Sequence, residues 1–330
     1  MFTDRGRGTS ACDPDATVMN ITVILCTFNR SQSLTRALQS VTECVLPETV
    51  SWEVLVVDNN STDETPSIVR HFCEAYPGRI RYFFEPKAGK SNALNSGIQQ
   101  TNAELIAFMD DDVVVDREWL QNLTVALNNG NWAGAGGRIL PSWTSPPPAW
   151  LPSEDRYSLA PLAMFDLGTT PRPLEESPFG TNMAFRKSVF EEFGGFRTDL
   201  GPRPNSEIRN EDTEFGQRLL NAGERLVYQP SAIVYHEIPE QRLRKRYFLK
   251  WWFDKARADV RQFGTSRSTR WRLAGIPLYL FRRLAIWASR WLVTPNPSRR
   301  FSHKLKVWGI VGEMQELVAS RAQQKGIIES

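Results

Sequence analysis

Short apolar runs alternate with amphipathic patterns along the first 238 residues of the chain. Four of these runs predict β-strands, and the stretches 33–45 and 62–76 between them have the apolar spacing of helices, with Leu34, Ala37, Leu38 and Val41 on one stripe of the first. The four predicted strands cover residues 21–27, 52–58, 80–84 and 105–110. Alternation of this kind is typical of an α/β fold, in which helices flank a mostly parallel sheet.

The second half of this region is less regular. We expect helices over 117–128, from 188 onward and from Asn210 to Ala222, with Asn210 as the capping residue and Ser31 or Ser33 and Ser61 or Thr62 capping the two earlier helices. Strands are expected over 133–140, 180–186, 226–229 and 232–236. The Trp- and Pro-rich stretch 142–179 reads as a long irregular excursion, and such loops commonly form lids or binding surfaces.

Beyond residue 239 the chain becomes basic and helical. Residues 241–306 contain 18 lysines and arginines but only two acids, Asp254 and Asp259, so they carry +16 while the other 264 residues carry −13. A basic region of this size attracts a polyanion such as nucleic acid, anionic lipid or a phosphorylated substrate. The stretch 273–293 predicts an amphipathic helix containing three arginines, which spans a membrane, lies on its surface or packs against the main domain.

Cysteine spacing and the N-terminus bear on the cellular compartment. Four cysteines stand far apart without a Cys-x-x-Cys pair, and residues 1–20 lack the apolar core of a secretory signal. We therefore expect a cytoplasmic protein, with peripheral attachment to the inner face of the cell membrane if the basic region 240–306 binds lipid.

Three consecutive acids, Asp110, Asp111 and Asp112, follow the fourth predicted strand. The carboxyl ends of parallel strands form the ligand crevice of such sheets. Asp110 and Asp112 are two residues apart, so they are candidate ligands for Mg²⁺ or Mn²⁺, although a solvated acidic turn explains the triplet equally well. His236, at the end of the last strand, is a further candidate metal ligand, with a structural histidine as the alternative.

Other polar segments also stand at the ends of predicted strands. Asp58 ends the second strand, where it is suited either to a base or ribose hydroxyl or to a turn. The basic segment 87–97, which includes Lys90 and Asn95, opens a helix that is suited to phosphate, but it lacks the glycine spacing of a nucleoside triphosphatase loop. Glu211 and Asp212 begin another helix, where the dipole favours acids and where a carboxylate is also suited to act as a general base.

Together these segments resemble glycosyltransferase family 2, the nucleotide-sugar-dependent enzymes with a GT-A fold. The resemblance covers about residues 21–236 and rests on six segments in the family order. They are TVILCTFNR (22–30), VVDNNSTD (56–63), KSNALNSG (90–97), the Asp110-x-Asp112 motif with Glu118-Trp119-Leu120, GTNMAFR (180–186), and Glu211-Asp212.

The resemblance implies a role for each matching position. Thr27, Asn29 and Arg30 would shape the nucleotide pocket, with Asp58 or Asn59 near the base. Asp110 and Asp111 would lie near the ribose and phosphates, Asp112 would bind the divalent ion, and Asp212 would be the general base with Glu211 beside it. Where Asn59 stands, many relatives have an aspartate that recognises uracil, so the resemblance leaves the nucleotide open.

The resulting prediction is a GT-A-like α/β domain over residues 21–239, followed by a basic helical extension over 240–330. Its nucleotide-sugar half would be about 21–112 and its acceptor half about 113–239. The predicted activity is an inverting, metal-dependent transfer from a nucleoside-diphosphate sugar to a saccharide or lipid-linked acceptor. Two alternatives are a sugar-1-phosphate nucleotidyltransferase, which lacks here its usual glycine-rich basic loop after the first strand, and a nucleic-acid-binding protein, which leaves the acidic strand ends unexplained.

Overall fold

The computed structural model describes residues 19–151, 156–204, 206, 208–265 and 270–328. The predicted N-terminal tail, residues 1–20, lies outside these residues except for its last two, which begin the first strand. The strands are β1 (Met19–Thr27), β2 (Val50–Asp58), β3 (Ile80–Phe84), β4 (Leu105–Asp110), β5 (Val113–Val115), β6 (Gly134–Trp143), β7 (Arg172–Pro173), β8 (Asn182–Arg186), β9 (Leu226–Ile238), β10 (Arg272–Leu273) and β11 (Ile276–Pro277).

Helices cover the sheet and form most of the C-terminal region. They are α1 (Ser31–Thr42), α2 (Thr65–Ala75), α3 (Lys90–Gln99), α4 (Trp119–Asn128), α5 (Arg156–Leu159), α6 (Lys187–Phe193), α7 (Glu211–Asn221), α8 (Lys245–Phe263), α9 (Leu278–Val293) and α10 (Pro297–Ile328). Two 3₁₀ helices, Ala160–Leu162 and Glu240–Leu243, lie before β7 and before α8.

One mixed sheet organises the described residues. Its strands run in the order β3-β2-β1-β4-β8-β6-β9-β5, with β7 also paired to β9. The four strands β3, β2, β1 and β4 are parallel, as is the long β6–β9 pair, whereas β8 and β5 are antiparallel to their neighbours. The predicted α/β fold is therefore confirmed.

The parallel register brings the polar strand ends together. Thr27 at the end of β1 is paired with Asp58 at the end of β2, and Cys26 is paired with Asp110 at the end of β4. The apolar stripe of α1, predicted from its spacing, packs into the core beneath these ends. The carboxyl ends of β1, β2 and β4 therefore lie side by side along one edge of the sheet.

Helix capping differs from the sequence prediction. The Ser31, Ser33, Ser61 and Thr62 side chains make no cap of α1 or α2. Instead Asp63 accepts hydrogen bonds from the backbone amides of Ser31 at 3.1 Å and Thr65 at 3.0 Å, so one carboxylate serves the first turns of both helices. A carboxylate has two acceptor oxygens, which a hydroxyl cannot match.

Asn210 precedes α7 as predicted, but its side chain does not cap the helix. Its backbone is left-handed, with φ of 80°, and its amide group donates to Asp259 and Gln262 of α8, both at 2.8 Å. Asparagine tolerates this backbone region better than most residues. The residue therefore ties the start of α7 to α8.

Two other predictions need correction. The strands expected over 226–229 and 232–236 form one strand, β9, whose residues 230–232 bulge where its pairing to β6 shifts between Gly137 and Arg138. The helix expected over 273–293 begins only at Leu278, because Ala274 and Gly275 turn the chain with positive φ into the β10–β11 hairpin. No helix in the described part of the chain combines the length and hydropathy that a membrane span requires.

A second hydrophobic core joins the excursion to the C-terminal helices. Trp150 contacts Phe248 of α8 and Phe301 of α10, and the Tyr157 ring stacks on Trp252 with 3.7 Å between centroids. Leu162 and Leu243 are buried in the same cluster. Residues on both sides of position 239 thus share this core, and the Trp150 and Tyr157 rings are used for packing.

Candidate active site

The carboxyl ends of β1 and β4 meet in a polar crevice. The Thr27 hydroxyl donates to Asp111 Oδ2 at 2.9 Å, and Arg30 Nη1 donates to Asp111 Oδ1 at 3.2 Å and to Asp112 Oδ2 at 2.6 Å. Burial raises the pKa of Asp111 to about 7, against the opposing effect of Arg30. Proximity of Asp111, reinforced by Asp112, raises the pKa of Arg30 despite its burial.

Asp112 and His236 form the second part of the crevice. His236 Nε2 lies 3.7 Å from Asp112 Oδ1, and its Nδ1 is 2.8 Å from the carbonyl oxygen of Leu162. Arg242 lies against both residues, with Nη2 2.5 Å from Asp112 Oδ2 and Nη1 2.5 Å from His236 Nε2. Although burial opposes it, these neighbours and Arg30 hold the pKa of Asp112 well below its usual range.

The donor chemistry of this pair fits a divalent ion. The Leu162 carbonyl can only accept, so His236 Nδ1 carries the proton and Nε2 presents its lone pair to Arg242 Nη1. Histidines that bind metals usually donate a hydrogen bond from their other ring nitrogen to an acceptor such as a backbone carbonyl. Asp110 does not join them, and the described residues contain no group of three His, Cys, Asp or Glu side chains arranged to hold a metal.

Asp110 belongs instead to a buried network around Lys90. The Lys90 ammonium is 2.5 Å from Asp110 Oδ1 and 3.7 Å from Glu211 Oε1. Burial alone would raise the pKa of Asp110, but Lys90 outweighs it and lowers that pKa. Glu211 is buried beside Asp212, and its pKa rises to about 7. Lys90 therefore pairs with Asp110, lies near Glu211 and does not extend into the crevice as a free phosphate ligand.

Two consecutive residues, Gly180 and Thr181, connect the strand-end acids to α7. The Gly180 amide donates to Asp212 Oδ2 at 2.7 Å, and the Thr181 hydroxyl donates to Asp110 Oδ2 at 2.8 Å. Asp212 Oδ1 accepts from the Thr213 amide at 2.7 Å. The predicted acids from two distant parts of the chain therefore share one site.

Four predicted nucleotide ligands use their polar groups within the protein. Asp58, fully buried, accepts from the Ser61 amide and the Tyr82 hydroxyl, both at 2.9 Å, so the turn role is realised. Asn29 accepts from the Thr62 amide at 2.7 Å.

The other two are Asn59 and Asn95. Asn59 accepts from the Gly89 amide at 2.7 Å and donates to the carbonyl oxygens of Glu85 and Lys87. Asn95 bonds both backbone groups of Phe196 at 2.8 Å. In Asp58, Asn59 and Asn95 every polar side-chain atom is hydrogen-bonded within the protein, whereas in Asn29 it is the side-chain oxygen that is bonded.

Arg242 and Thr181 were not singled out as site residues by the sequence. Thr181 stood within the GTNMAFR segment that carried the resemblance, so the segment marked the place without revealing the hydroxyl's partner. Arg242 is one of many arginines in the basic region, and nothing in its spacing separates it from the others. Only its position in the 3₁₀ helix Glu240–Leu243, directly after β9, brings it to Asp112.

Comparisons with known proteins identify relatives of this chain. Glycosyltransferase AglE of Haloferax volcanii is 26% identical over 295 residues, covering 89% of this chain and 88% of its own. The glucosyl-dolichyl phosphate glucuronosyltransferase of the same organism is 24% identical over 227 residues, covering 68% of this chain and 71% of its own. The fold matches that of the mannosyltransferase PcManGT from Pyrobaculum calidifontis, solved with GDP-Man and Mn²⁺, with a TM-score of 0.55 at 22% identity over 98% of this chain and 85% of that one.

The GT-A prediction is thereby confirmed, and the transferase is favoured over the nucleotidyltransferase and the nucleic-acid-binding protein. The model of Glycosyl transferase family 2 matches residues 22–194, more than half of the chain and all but one of the six segments that carried the resemblance. The chain belongs to glycosyltransferase family 2.

Proposed function

We propose that this protein is an inverting, metal-dependent glycosyltransferase that moves a sugar from a nucleoside-diphosphate sugar to a hydroxyl of a saccharide or lipid-linked acceptor. The observation that carries the proposal is that Lys90, Gly180 and Thr181 join Asp110, two residues before Asp112, to Glu211 and Asp212. An inverting transfer needs a charge-stabilising group on the departing diphosphate and a base on the attacking hydroxyl, and the crevice offers both kinds of group.

Asp112 and His236 are the residues we assign to the divalent ion. When bound, the ion would neutralise the charge that develops on the departing diphosphate. An imidazole beside a carboxylate suits Mn²⁺ better than Mg²⁺, which prefers oxygen ligands. The structure of PcManGT contains Mn²⁺, which agrees with this choice. Thr27 and Arg30 hold Asp111 and Asp112 in place at the entrance to the nucleotide pocket.

Asp212 is the residue we assign to the general base. Its Oδ2 is fixed by the Gly180 amide, and its side chain remains partly exposed at the start of α7. Glu211 is 4% exposed, and its pKa of about 7 leaves much of it protonated near neutral pH. We therefore assign Glu211 a supporting part, as a partner of Lys90 behind the site.

The C-terminal helices bear on the choice of acceptor. The C-terminal region presents one amphipathic surface, the outer face of α9, made of Leu278, Phe281, Ile286, Leu292 and Val293 with Arg282 and Arg290 alongside. Its opposite side packs on α10 through Leu280, Ile310 and Met314. Exposed apolar residues flanked by arginines suit the interface of an anionic membrane.

A lipid-linked acceptor follows from this surface. The name of one relative, the glucosyl-dolichyl phosphate glucuronosyltransferase, describes a lipid-linked substrate. We infer a peripheral position on the inner face of the cell membrane and a role in cell-surface polysaccharide or glycolipid synthesis. We place the lipid contact expected of residues 240–306 on α9, because Tyr247, Phe248 and Trp252 of α8 are packed in the second core.

A thermal-shift panel tests the proposal. The full chain is heated with UDP, GDP, dTDP or CDP, each with and without Mn²⁺, as wild type, as Asp112→Ala and as a control, Asp199→Ala, whose carboxylate pairs with the surface residue Arg197. A ligand of the native state raises the melting temperature according to its concentration relative to Kd. We expect one nucleotide to give a Mn²⁺-dependent shift that Asp112→Ala abolishes and Asp199→Ala retains. Absence of any metal-dependent shift in the wild type contradicts the proposal.

A further inference from the structure

Arg242 occupies the space between the two residues assigned to the divalent ion. It lies in the 3₁₀ helix Glu240–Leu243, where the catalytic sheet ends and the C-terminal helices begin. One guanidinium nitrogen is 2.5 Å from Asp112 Oδ2 and the other is 2.5 Å from His236 Nε2. The Arg242 side chain is only 18% exposed. Its guanidinium is therefore a largely buried part of the crevice.

These contacts use the electron pairs that a metal would use. Arginine has no acceptor, so its contact with His236 Nε2 requires that nitrogen to accept through its lone pair. Asp112 Oδ2 accepts from Arg242 and, at 2.6 Å, from Arg30. A divalent ion bound to the same carboxylate oxygen and the same imidazole nitrogen would have to replace the Arg242 hydrogen bonds.

We propose that Arg242 is a resident cation that holds Asp112 and His236 ready in the nucleotide-free enzyme and that the divalent ion must displace. This inference rests on the proposed function, because it concerns the regulation of the same metal site. A buried carboxylate without a counter-charge is unfavourable, so an empty crevice needs a positive group at this point. Arg242 supplies it and at the same time fixes the neutral tautomer of His236.

The proposal predicts coupling between metal and nucleotide. A metal arriving alone would have to break the two Arg242 hydrogen bonds without offering the guanidinium new acceptors, so it would gain little. A metal arriving with a diphosphate brings new acceptors for the displaced guanidinium, which forms strong paired hydrogen bonds with phosphate oxygens. Arg242 is therefore a positioning residue that makes metal affinity low without nucleotide and higher with it.

Mn²⁺ binding measured by electron paramagnetic resonance tests this directly, because free aqueous Mn²⁺ gives a signal that protein-bound Mn²⁺ loses. The full chain is titrated as wild type, as Arg242→Met and as a control, Arg244→Met. Arg244 is two residues away, is 49% exposed and contacts Glu240 at 3.5 Å. Each titration is run without nucleotide, with UDP and with GDP.

We expect Arg242→Met to bind Mn²⁺ about 10- to 100-fold more tightly than wild type without nucleotide, as lost charge-assisted hydrogen bonds would predict. Arg244→Met should match wild type. With the preferred nucleotide, the wild-type affinity should rise and the difference should narrow. A thermal melt of each variant verifies folding, and Arg242→Gln replaces Arg242→Met if the latter has no cooperative transition.

Two failures are distinguishable. Equal or weaker nucleotide-free Mn²⁺ binding by the Arg242 variant overturns the displacement proposal. In that case, loss of nucleotide-dependent Mn²⁺ binding in Asp112→Asn would still support the metal site of the proposed function. If neither wild type nor Arg242→Met binds Mn²⁺ with any nucleotide, the metal assignment fails and the role of Arg242 fails with it.

Discussion

Asp110 and Asp212 are linked by neighbouring residues, since Thr181 donates its hydroxyl to Asp110 at 2.8 Å while the Gly180 amide donates to Asp212 at 2.7 Å. The two acids are 102 positions apart in the chain. Because two consecutive residues of the loop before β8 hold both acids, this loop constrains their separation. A substitution that keeps this loop in place can therefore test the assignment of Asp212 as the general base.

Asp212→Asn should remove the base and keep the shape of the site. The asparagine oxygen can still accept from the Gly180 amide, so the loop should stay in place. We expect kcat to fall by about 10²- to 10⁴-fold, the usual value of general base catalysis, with nucleotide affinity nearly unchanged. Single-turnover transfer assays and nucleotide titration measure the two quantities.

The matched control is Glu214→Gln on the same helix, where Glu214 pairs with Arg218 at 2.8 Å on the side of α7. It should leave transfer close to wild type. Wild-type turnover by Asp212→Asn would place the base elsewhere.

Asn59→Asp should destabilise the protein. Asn59 is 6% exposed and donates to the carbonyl oxygens of Glu85 at 3.1 Å and Lys87 at 2.8 Å. A carboxylate cannot donate, so both carbonyls would face a buried negative charge. We expect a loss of about 3 kcal/mol in the free energy of unfolding, measured with urea. Asn60→Asp, at the exposed neighbouring position, should change it by less than about 0.5 kcal/mol, and equal stability of the two variants contradicts this role.

The sequence predicted the site better than it predicted the contacts within it. Thr27, Asp58 and Asp110 end apolar runs, and parallel strands place such ends along one edge, so local pattern sufficed. Asn59 and Asn95 lay in the matching segments, yet their partners are backbone groups of other loops. No local pattern encodes such pairings.

Long-range packing explains the remaining differences. Asparagine is a common helix-capping residue, but the side-chain amide of Asn210 instead donates hydrogen bonds to Asp259 and Gln262 of α8. The two strands predicted over 226–229 and 232–236 are one strand, because the residues between them form a bulge of β9. Arg242 contacts Asp112 only because the chain turns after β9, and this turn is not encoded in the local sequence around Arg242.

Glu211 should make the free energy of unfolding decrease as the pH rises. Burial and the neighbouring Asp212 raise the pKa of Glu211 from 4.5 to about 7 in the folded state. Between these values the folded state holds a proton that the unfolded state has lost, so this residue's contribution to stability falls as the pH rises through the window. Glu211→Gln removes that penalty while Lys90 keeps its 2.5 Å contact with Asp110.

We therefore expect Glu211→Gln to equal wild type near pH 4 and to exceed it at pH 8 by up to about 3 kcal/mol, measured by urea unfolding across the range. Glu214→Gln serves again as the control and should show no gain that grows with pH. If Glu211→Gln is no more stable than wild type at pH 8, Glu211 is ionised without penalty in the folded protein.

Membrane binding should depend on the outer face of α9. Phe281, Leu292 and Val293 are 37%, 74% and 74% exposed, and changing all three to serine removes apolar surface that would enter the interface. We expect partitioning onto vesicles of phosphatidylcholine and phosphatidylglycerol, measured by flotation, to fall by at least about 100-fold.

A control with Val45, Phe84 and Val125 changed to serine alters exposed residues of the catalytic domain and should float like wild type. Arg282 and Arg290 add attraction to anionic headgroups, so salt should weaken wild-type binding. Equal flotation of the two triple variants would mean that α9 does not meet the lipid.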